Sequence, residues 1–139
     1  MIKRSIVPRR PVQPSPAALI TCVDTDNRPN IISLSEVSNV STKEPVILGI
    51  AIAKQRYSHR LISTTREFAV NLTTVAMVEI VDRCVAVSGR DGDKFQALGL
   101  TASPAEYVRR SLPNARSASN VAFCRYTRSA IMTFFLAKP

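Results

Sequence analysis

The stretch DTDNRPNIISLSEVSNVS, from Asp24 to Ser41, sets Asn30, Ser33, Ser35, Ser38, Asn39 and Ser41 close together. It is too polar for a core and too rich in Ser and Asn for a plain connector. Its neutral donors and acceptors either hold a ligand or make a solvated hairpin loop, and on composition alone the loop is the simpler reading. A second cluster is RYSHR, residues 56–60. A phosphate is held by cations, hydroxyls and the free amides of a helix start. Arg56 and Ser58 stand at such a start with Tyr57 and His59 beside them, and the alternative is an exposed basic turn that faces water. Asn71, in AVNL, is a polar residue inside an apolar strand and needs a hydrogen-bond partner if buried.

Other chemistries are excluded by count and spacing. His59 is the only histidine, which speaks against a Ser/His/Asp triad or a multi-histidine metal site. Cys22, Cys84 and Cys124 are odd in number, widely spaced and without a Cys-x-x-Cys pattern, so they read as ordinary buried thiols and not as a disulfide framework or a zinc site. No catalytic side chain and no metal ligand is assigned.

The net charge of +9 raises a nucleic-acid reading, so its location matters. Lys3, Arg4, Arg9 and Arg10 lie before any acid, and Arg109, Arg110, Arg116, Arg125, Arg128 and Lys138 lie after the last one. Residues 11–108 hold nine Lys and Arg against all ten Asp and Glu, a net of −1. The body is nearly neutral and the basicity belongs to the ends, which is not the basic stripe with aromatics of a nucleic-acid binder.

The elements that must position these residues are those of one domain of ordinary size. An apolar fraction of 45% is globular and too high for a disordered chain. The longest apolar run, VILGIAIA at Val46 to Ala53, has the length of a buried strand and not of a membrane span, and MIKRSIVPRRPVQPSP lacks the apolar stretch of a secretory signal, so a cytoplasmic location is the expectation. AALITCV reads as a strand, DTDN as a turn and PNIISLS as the returning strand of a hairpin. EVSNVSTKEP then reads as a loop that ends at Pro45. VILGIAIA, apolar at odd and even positions, predicts a central strand covered on both faces. QRYSHRLISTTREF predicts one short helix that Ser58 can cap, with Leu61 and Ile62 facing inward. EFAVNLT returns to strand, with Phe68, Val70 and Leu72 alternating against Ala69 and Asn71. VAMVEIVDRCVAV is a helix with Glu79, Asp82 and Arg83 on its polar face. SGRDGDKFQALGL is a turn and a small helix, capped by Asp91 or Asp93 and stopped near Gly99.

In that order, PSPAALITCVDTDNRPNIISLSEVSNVSTKEPVILGIAI, RYSHRLISTTREFAVNL and SGRDGDKFQALGL resemble the flavin reductase-like, FMN-binding split-barrel family, of the flavoredoxin kind, from about Pro14 to about Arg110. The resemblance implies an α+β, mainly β fold: a split β-barrel with short flanking helices. In such proteins the segment after the second strand lies along the flavin, which assigns Asn30, Ser33, Ser35, Ser38, Asn39 and Ser41 to the isoalloxazine edge. That assignment fits the ring's need for neutral donors and acceptors at its edge and apolar cover on its faces. Arg56 and Ser58 take the FMN phosphate, and the partner of Asn71 lies in the cofactor region. Arg90 and Lys94 match positions that help close the phosphate end, in some relatives across a dimer interface, although both could be surface charges. The implied activity is an oxidoreductase reaction, hydride transfer from NADH or NADPH to FMN and onward to an electron-acceptor protein, in a homodimer.

The sequence departs from the family beyond residue 110. Residues 1–13 form a basic, proline-rich lead-in and 14–110 a partial domain. Residues 111–139 look aberrant: basic, acid-free, without a clear period, and without the GxHxxFxGEV-like stretch of relatives. AIMTFFLAKP can be written in codons whose neighbouring frame reads HHDFFLGEA, which predicts a frameshift near Leu112 and a barrel incomplete at its C-terminus. Loss of the last strands would disable the enzyme. The alternatives are a binding protein that uses its basic tail, and a flavoprotein like the pyridoxamine-phosphate oxidases.

Overall fold

The computed structural model describes residues 14–43 and 47–103 and, as backbone only, three strands further on. The chain forms β1 (Ala18–Val23), β2 (Pro29–Leu34), β3 (Val37–Ser41), β4 (Ile47–Ala53), α1 (Tyr57–Thr65), β5 (Phe68–Leu72), α2 (Val78–Ala86), α3 (Lys94–Leu98), β6 (Arg116–Val121), β7 (Phe123–Arg128) and β8 (Met132–Lys138). A 3-10 turn, Val75–Met77, leads into α2. The strands make two four-stranded sheets of order β2-β1-β5-β6 and β3-β4-β8-β7, and every pairing in them is antiparallel.

The hairpin β1–β2 forms where the turn chemistry predicts it. The Asp24 carboxylate accepts from the amides of Asp26 (2.9 Å) and Arg28 (2.8 Å), and Asn27 adopts the left-handed conformation at φ 63°, which Asn tolerates better than most residues. All six residues of β1 are buried, because the strand is covered on both faces. Ala18, Ile20 and Cys22 face a core shared with Ile50 and Ile52 of β4, Phe68 and Val70 of β5, and Leu61 and Ile62 of α1. Leu19 packs the other way, with Ile31, Cys84, Phe95 and Leu98, under α2 and α3. Each large aliphatic side chain buried there contributes about 1.5–3 kcal/mol relative to exposure.

The helices follow their sequence signals with one exception. Asp93 caps α3, its carboxylate accepting from the amides of Phe95 (2.8 Å) and Gln96 (3.2 Å), and Gly99 ends the helix at φ 63°. Glu79, Asp82 and Arg83 lie exposed on α2. Ser58, expected as a cap of α1, is not one: the helix starts at Tyr57, two residues earlier than a Ser58 cap requires, Arg56 holds the N-cap position, and no side chain caps it. Ser58 is instead buried in the first turn.

Three further expectations are corrected. EVSNVS is not all loop, since Val37–Ser41 forms a strand at the edge of its sheet, paired among the described residues with β4, where Ser38 and Asn39 are exposed. Leu72 does not point inward with Phe68 and Val70: it is 42% exposed at the strand end, while Ala69 and Asn71 are buried. The segment expected to lack strands holds three. β6 pairs with β5 and β8 pairs with β4 over six residue pairs, Leu48 with Ala137 through Ala53 with Met132. Backbone pairing asks for extended chain and not for acidic residues or a regular period, so the composition of 111–139 was no guide to it.

Candidate cleft and the residues around it

A cleft of about 570 Å3 opens between β2, β4, the start of α1 and the segment that follows α2. The end of β2 carries Ser33, and the chain turns at Ser35, so both hydroxyl residues reach this wall. The β4–α1 connection brings Arg56, Tyr57 and Ser58 to it, and α3 brings Lys94. Ser33, Ser35, Arg56, Ser58 and Lys94, drawn from three separated stretches of sequence, therefore share one cleft. Two carboxylates, Glu36 and Asp91, also line it.

Lys94 is the unusual member. It is 5% exposed, and its Nζ donates to the Cys84 carbonyl at 2.8 Å with the Cys84 sulfur at 3.8 Å. Among the described residues no carboxylate lies within ion-pair distance of it. A buried cation whose described hydrogen-bond partners are neutral is costly, and an anion in the cleft would relieve that cost.

A second, smaller cleft of about 310 Å3 shares Tyr57, Gly89 and Lys94 with the first and is rimmed by Asp24, Arg28 and Arg90. Arg90 lines this cleft and not the larger one; its guanidinium donates to the Gln55 carbonyl at 2.7 Å, tying the 88–92 turn to the connection before α1. Asn30 lines the second cleft also, and its Nδ2 donates to Ser58 Oγ at 2.8 Å. Asn30 thus positions Ser58 and does not face the larger cleft.

Ser38, Asn39 and Ser41 lie on β3 and line neither cleft; Ser41 Oγ donates to the Lys43 carbonyl at 2.9 Å. Asn71 lines neither. Its Nδ2 donates inside the sheet, to the Leu19 carbonyl (2.8 Å) and to Thr21 Oγ1 (3.2 Å) of β1. The register of β1 and β5 places Asn71 opposite Leu19, so its amide serves a buried interior position of the sheet.

Sequence reasoning missed Gly89, Ser88, Glu36 and Cys84 as cleft residues. For Gly89 the glycine within SGRDG gave a signal that reads first as a turn. Among the described residues no cluster could hold a metal ion, and no helix is long and apolar enough to cross a membrane.

Burial decides the state of the thiols. It pushes Cys22 up to about 12, against the opposing hydrogen bonds from Asn30 and Ser58. Burial also raises Cys84, with the nearby Lys94 charge opposing it. The folded value of Cys22 lies above that of an unfolded thiol. Its stabilising contribution is therefore complete below the unfolded value near 8.5 and is lost as pH rises towards 12. The native chain should leave Cys22 unmodified by a thiol-alkylating reagent at pH 8, whereas the urea-unfolded chain should react; peptide mapping by mass spectrometry reads the difference, and labelling of Cys22 in the native state would contradict it.

Residues 10–135 match the family described as flavin reductase like domain. The fold is that of solved split-barrel structures. Flavoredoxin of Desulfovibrio vulgaris (Miyazaki F) superposes with a TM-score of 0.83 at 25% identity, over 96% of this chain and 73% of that one. Flavoredoxin from Methanosarcina acetivorans gives 0.80 at 23% identity, over 98% and 73%. An FMN-binding protein from Thermus thermophilus gives 0.84 at 20% identity, over 99% and 76%. An uncharacterized protein of Archaeoglobus fulgidus is 29% identical over 101 residues, 73% of this chain; the chain spans 55% of that relative's length. The family match runs beyond Arg110, where the sequence resemblance fades, to residue 135.

Proposed function

The chain belongs to the flavin reductase-like domain family, and on that premise we propose that it binds FMN in the larger cleft and serves as an NAD(P)H-dependent flavin oxidoreductase. The single observation that carries this reading is that neutral hydroxyl residues and the cations Arg56 and Lys94 line the same cleft. Its volume of about 570 Å3 is in the range of cofactor pockets. The residues present also fit the two ends of the cofactor. Ser33 and Ser35 offer neutral donors and acceptors to the ring edge, and Ala51 and Ala53 offer small apolar surface. Arg56, Ser58 and Lys94 offer charge and hydroxyl to the phosphate, at a helix start that no side chain caps.

When bound, FMN would accept hydride from NADH or NADPH and pass electrons to an acceptor. The protein's part in that chemistry is to hold and orient. Asn30 fixes Ser58 through its 2.8 Å hydrogen bond, and the Cys84 carbonyl fixes Lys94 at the same distance, so both phosphate-binding groups are placed before the ligand arrives. No side chain of the cleft needs to act as acid or base in hydride transfer. The pairing of β6 and β8 with β5 and β4 favours this reading over a free basic tail that binds an acidic partner.

The test is to titrate FMN into the purified chain and follow quenching of flavin fluorescence, then to assay NADH and NADPH oxidation. The expected result is saturable binding of one FMN per chain. Arg56→Ala should weaken it about tenfold, the size of one charged hydrogen bond. Failure to bind FMN, or binding indifferent to Arg56, would overturn the assignment of the cleft.

A further inference from the structure

Hydride transfer makes no use of the Cys84 thiol, although Cys84 lines the larger cleft. Its Sγ lies 3.8 Å from Lys94 Nζ and 3.8 Å from the Ile31 carbonyl, to which it donates. The thiol comes from α2 and the amine from the first residue of α3, and both residues are buried, at 1% and 5% exposure. The Cys84 carbonyl accepts from Nζ at 2.8 Å, so sulfur and nitrogen are held at this approach. Two consequences follow from holding them. The Lys94 ammonium favours the thiolate, the form that reacts with a peroxide, against the burial that disfavours it. A sulfenic acid formed on Cys84 would also have an amine nitrogen beside it, and sulfenic acids condense with nitrogen. Cys22 is the contrast inside the same chain. It is buried as well, but it lines neither cleft, and its sulfur meets the side-chain amide of Asn30 at 3.7 Å, a poor nucleophile.

We propose that Cys84 and Lys94 form a covalent modification site, at which hydrogen peroxide joins Sγ to Nζ as a sulfenamide. The Cys84 thiolate attacks one peroxide oxygen and the O–O bond breaks. The departing hydroxide takes a proton from the Lys94 ammonium and leaves as water, so sulfur becomes a sulfenic acid and nitrogen a neutral amine. The amine lone pair then attacks sulfur, the S–O bond breaks, and the hydroxyl leaves with an N–H proton as a second water. Sulfur is oxidised by two electrons and peroxide reduced by two: a thiol, an amine and one peroxide give one S–N bond and two waters. The flexible four-carbon stem of Lys94 supplies the movement from 3.8 Å to bonding distance. The linked nitrogen carries no charge, so the larger cleft loses a cation that serves the FMN phosphate. That last consequence rests on the FMN reading, whereas the bond itself does not.

The test treats the full, ligand-free chain with hydrogen peroxide and maps its tryptic peptides by mass spectrometry before and after dithiothreitol. Trypsin cuts after Arg83 and Arg90 but not after a linked Lys94. The expected product is therefore residues 84–90 joined to the peptide that spans Lys94, lighter than the two together by two hydrogen atoms and separated again by dithiothreitol. Cys84→Ser should give no joined product. Lys94→Arg, whose guanidinium is a poor nucleophile, should stop at a sulfenic acid that dimedone traps; circular dichroism checks that both variants fold. FMN affinity of the parent should fall at least about tenfold on treatment and recover with dithiothreitol, while that of Cys84→Ser should match its own untreated value within about twofold. A Cys84 that remains a thiol, that is oxidised without joining Lys94, or that pairs with Cys22 or Cys124 would overturn the site. Joined peptides with unchanged FMN affinity would establish the bond and remove Lys94 from the FMN phosphate. A parent chain that never binds FMN would sink the functional reading, and the peptide map would still decide the bond.

Discussion

Lys94→Met is expected to weaken FMN binding by about a hundredfold while it leaves the ligand-free protein almost as stable as before. The two halves of this expectation have one cause. Lys94 is 5% exposed and its described partners, the Cys84 carbonyl and sulfur, are neutral. Burying a charge with no counter-charge costs several kcal/mol, less whatever the fold recovers through hydrogen bonds. Methionine keeps the length and apolar stem and removes that cost. It also strands the Cys84 carbonyl, a loss of about 1–3 kcal/mol. The opposing changes nearly cancel, so urea unfolding without ligand should shift by no more than about 1 kcal/mol. Binding has no such compensation, because a phosphate then loses a charged donor in a desolvated place, a loss of about 1.5–3 kcal/mol. Fluorescence titration with FMN reads the binding and urea denaturation the stability. A variant that binds FMN as tightly as the parent would make Lys94 a structural residue, and one that unfolds would show the carbonyl bond to dominate.

Much of the fold was legible because local chemistry and burial agree. AALITCV, DTDN and PNIISL combine an apolar run, a turn and a second run, and the hairpin follows whatever surrounds it. Asp93 and Gly99 bracket α3 with side-chain and backbone chemistry that acts within four residues. VSNVS had no such signal. Its strand character comes from pairing with β4, and an edge strand with Ser and Asn facing water has the composition of a loop. The same holds for 116–138, whose strands exist as partners of β5 and β4.

The cleft was legible by residue type and illegible by direction. Ser33, Ser35, Arg56, Ser58 and Lys94 reach it, whereas Ser38, Asn39 and Ser41, equally polar, lie on β3 away from it. Resemblance assigned all of these to one ligand, and only the path of the chain after Glu36 separates them. Asn71 shows the converse case. A buried amide in an apolar strand was correctly expected to find partners, but the sheet itself supplies them from Leu19 and Thr21. The split of Arg90 from Arg56 between two clefts depends on how the 88–92 turn folds back on Gln55, which no local pattern encodes.

That turn is also where a single methyl group should have the largest structural effect. A Cβ on Gly89 would lie 2.1 Å from Asn30 Oδ1 and 2.9 Å from the Tyr57 ring, while one on Gly92, three residues on, would meet nothing within 4 Å. Asn30 cannot move without losing its 2.8 Å bond to Ser58, and Tyr57 forms the wall between the clefts and carries Arg60 over its ring at 5.0 Å. Gly89→Ala should therefore destabilise the chain by about 1–3 kcal/mol through overpacking, and weaken FMN by displacing Ser58. Gly92→Ala should be neutral or stabilising by up to about 1 kcal/mol, since it only restricts the unfolded chain. Urea denaturation of the two variants side by side isolates the contact from the general effect of replacing glycine in a turn. Equal stabilities would mean that the 88–92 turn can retreat from Asn30 at little cost. The wall shared by the two clefts would then be adjustable on the side of the turn, while Asn30 stays in place and keeps its bond to Ser58.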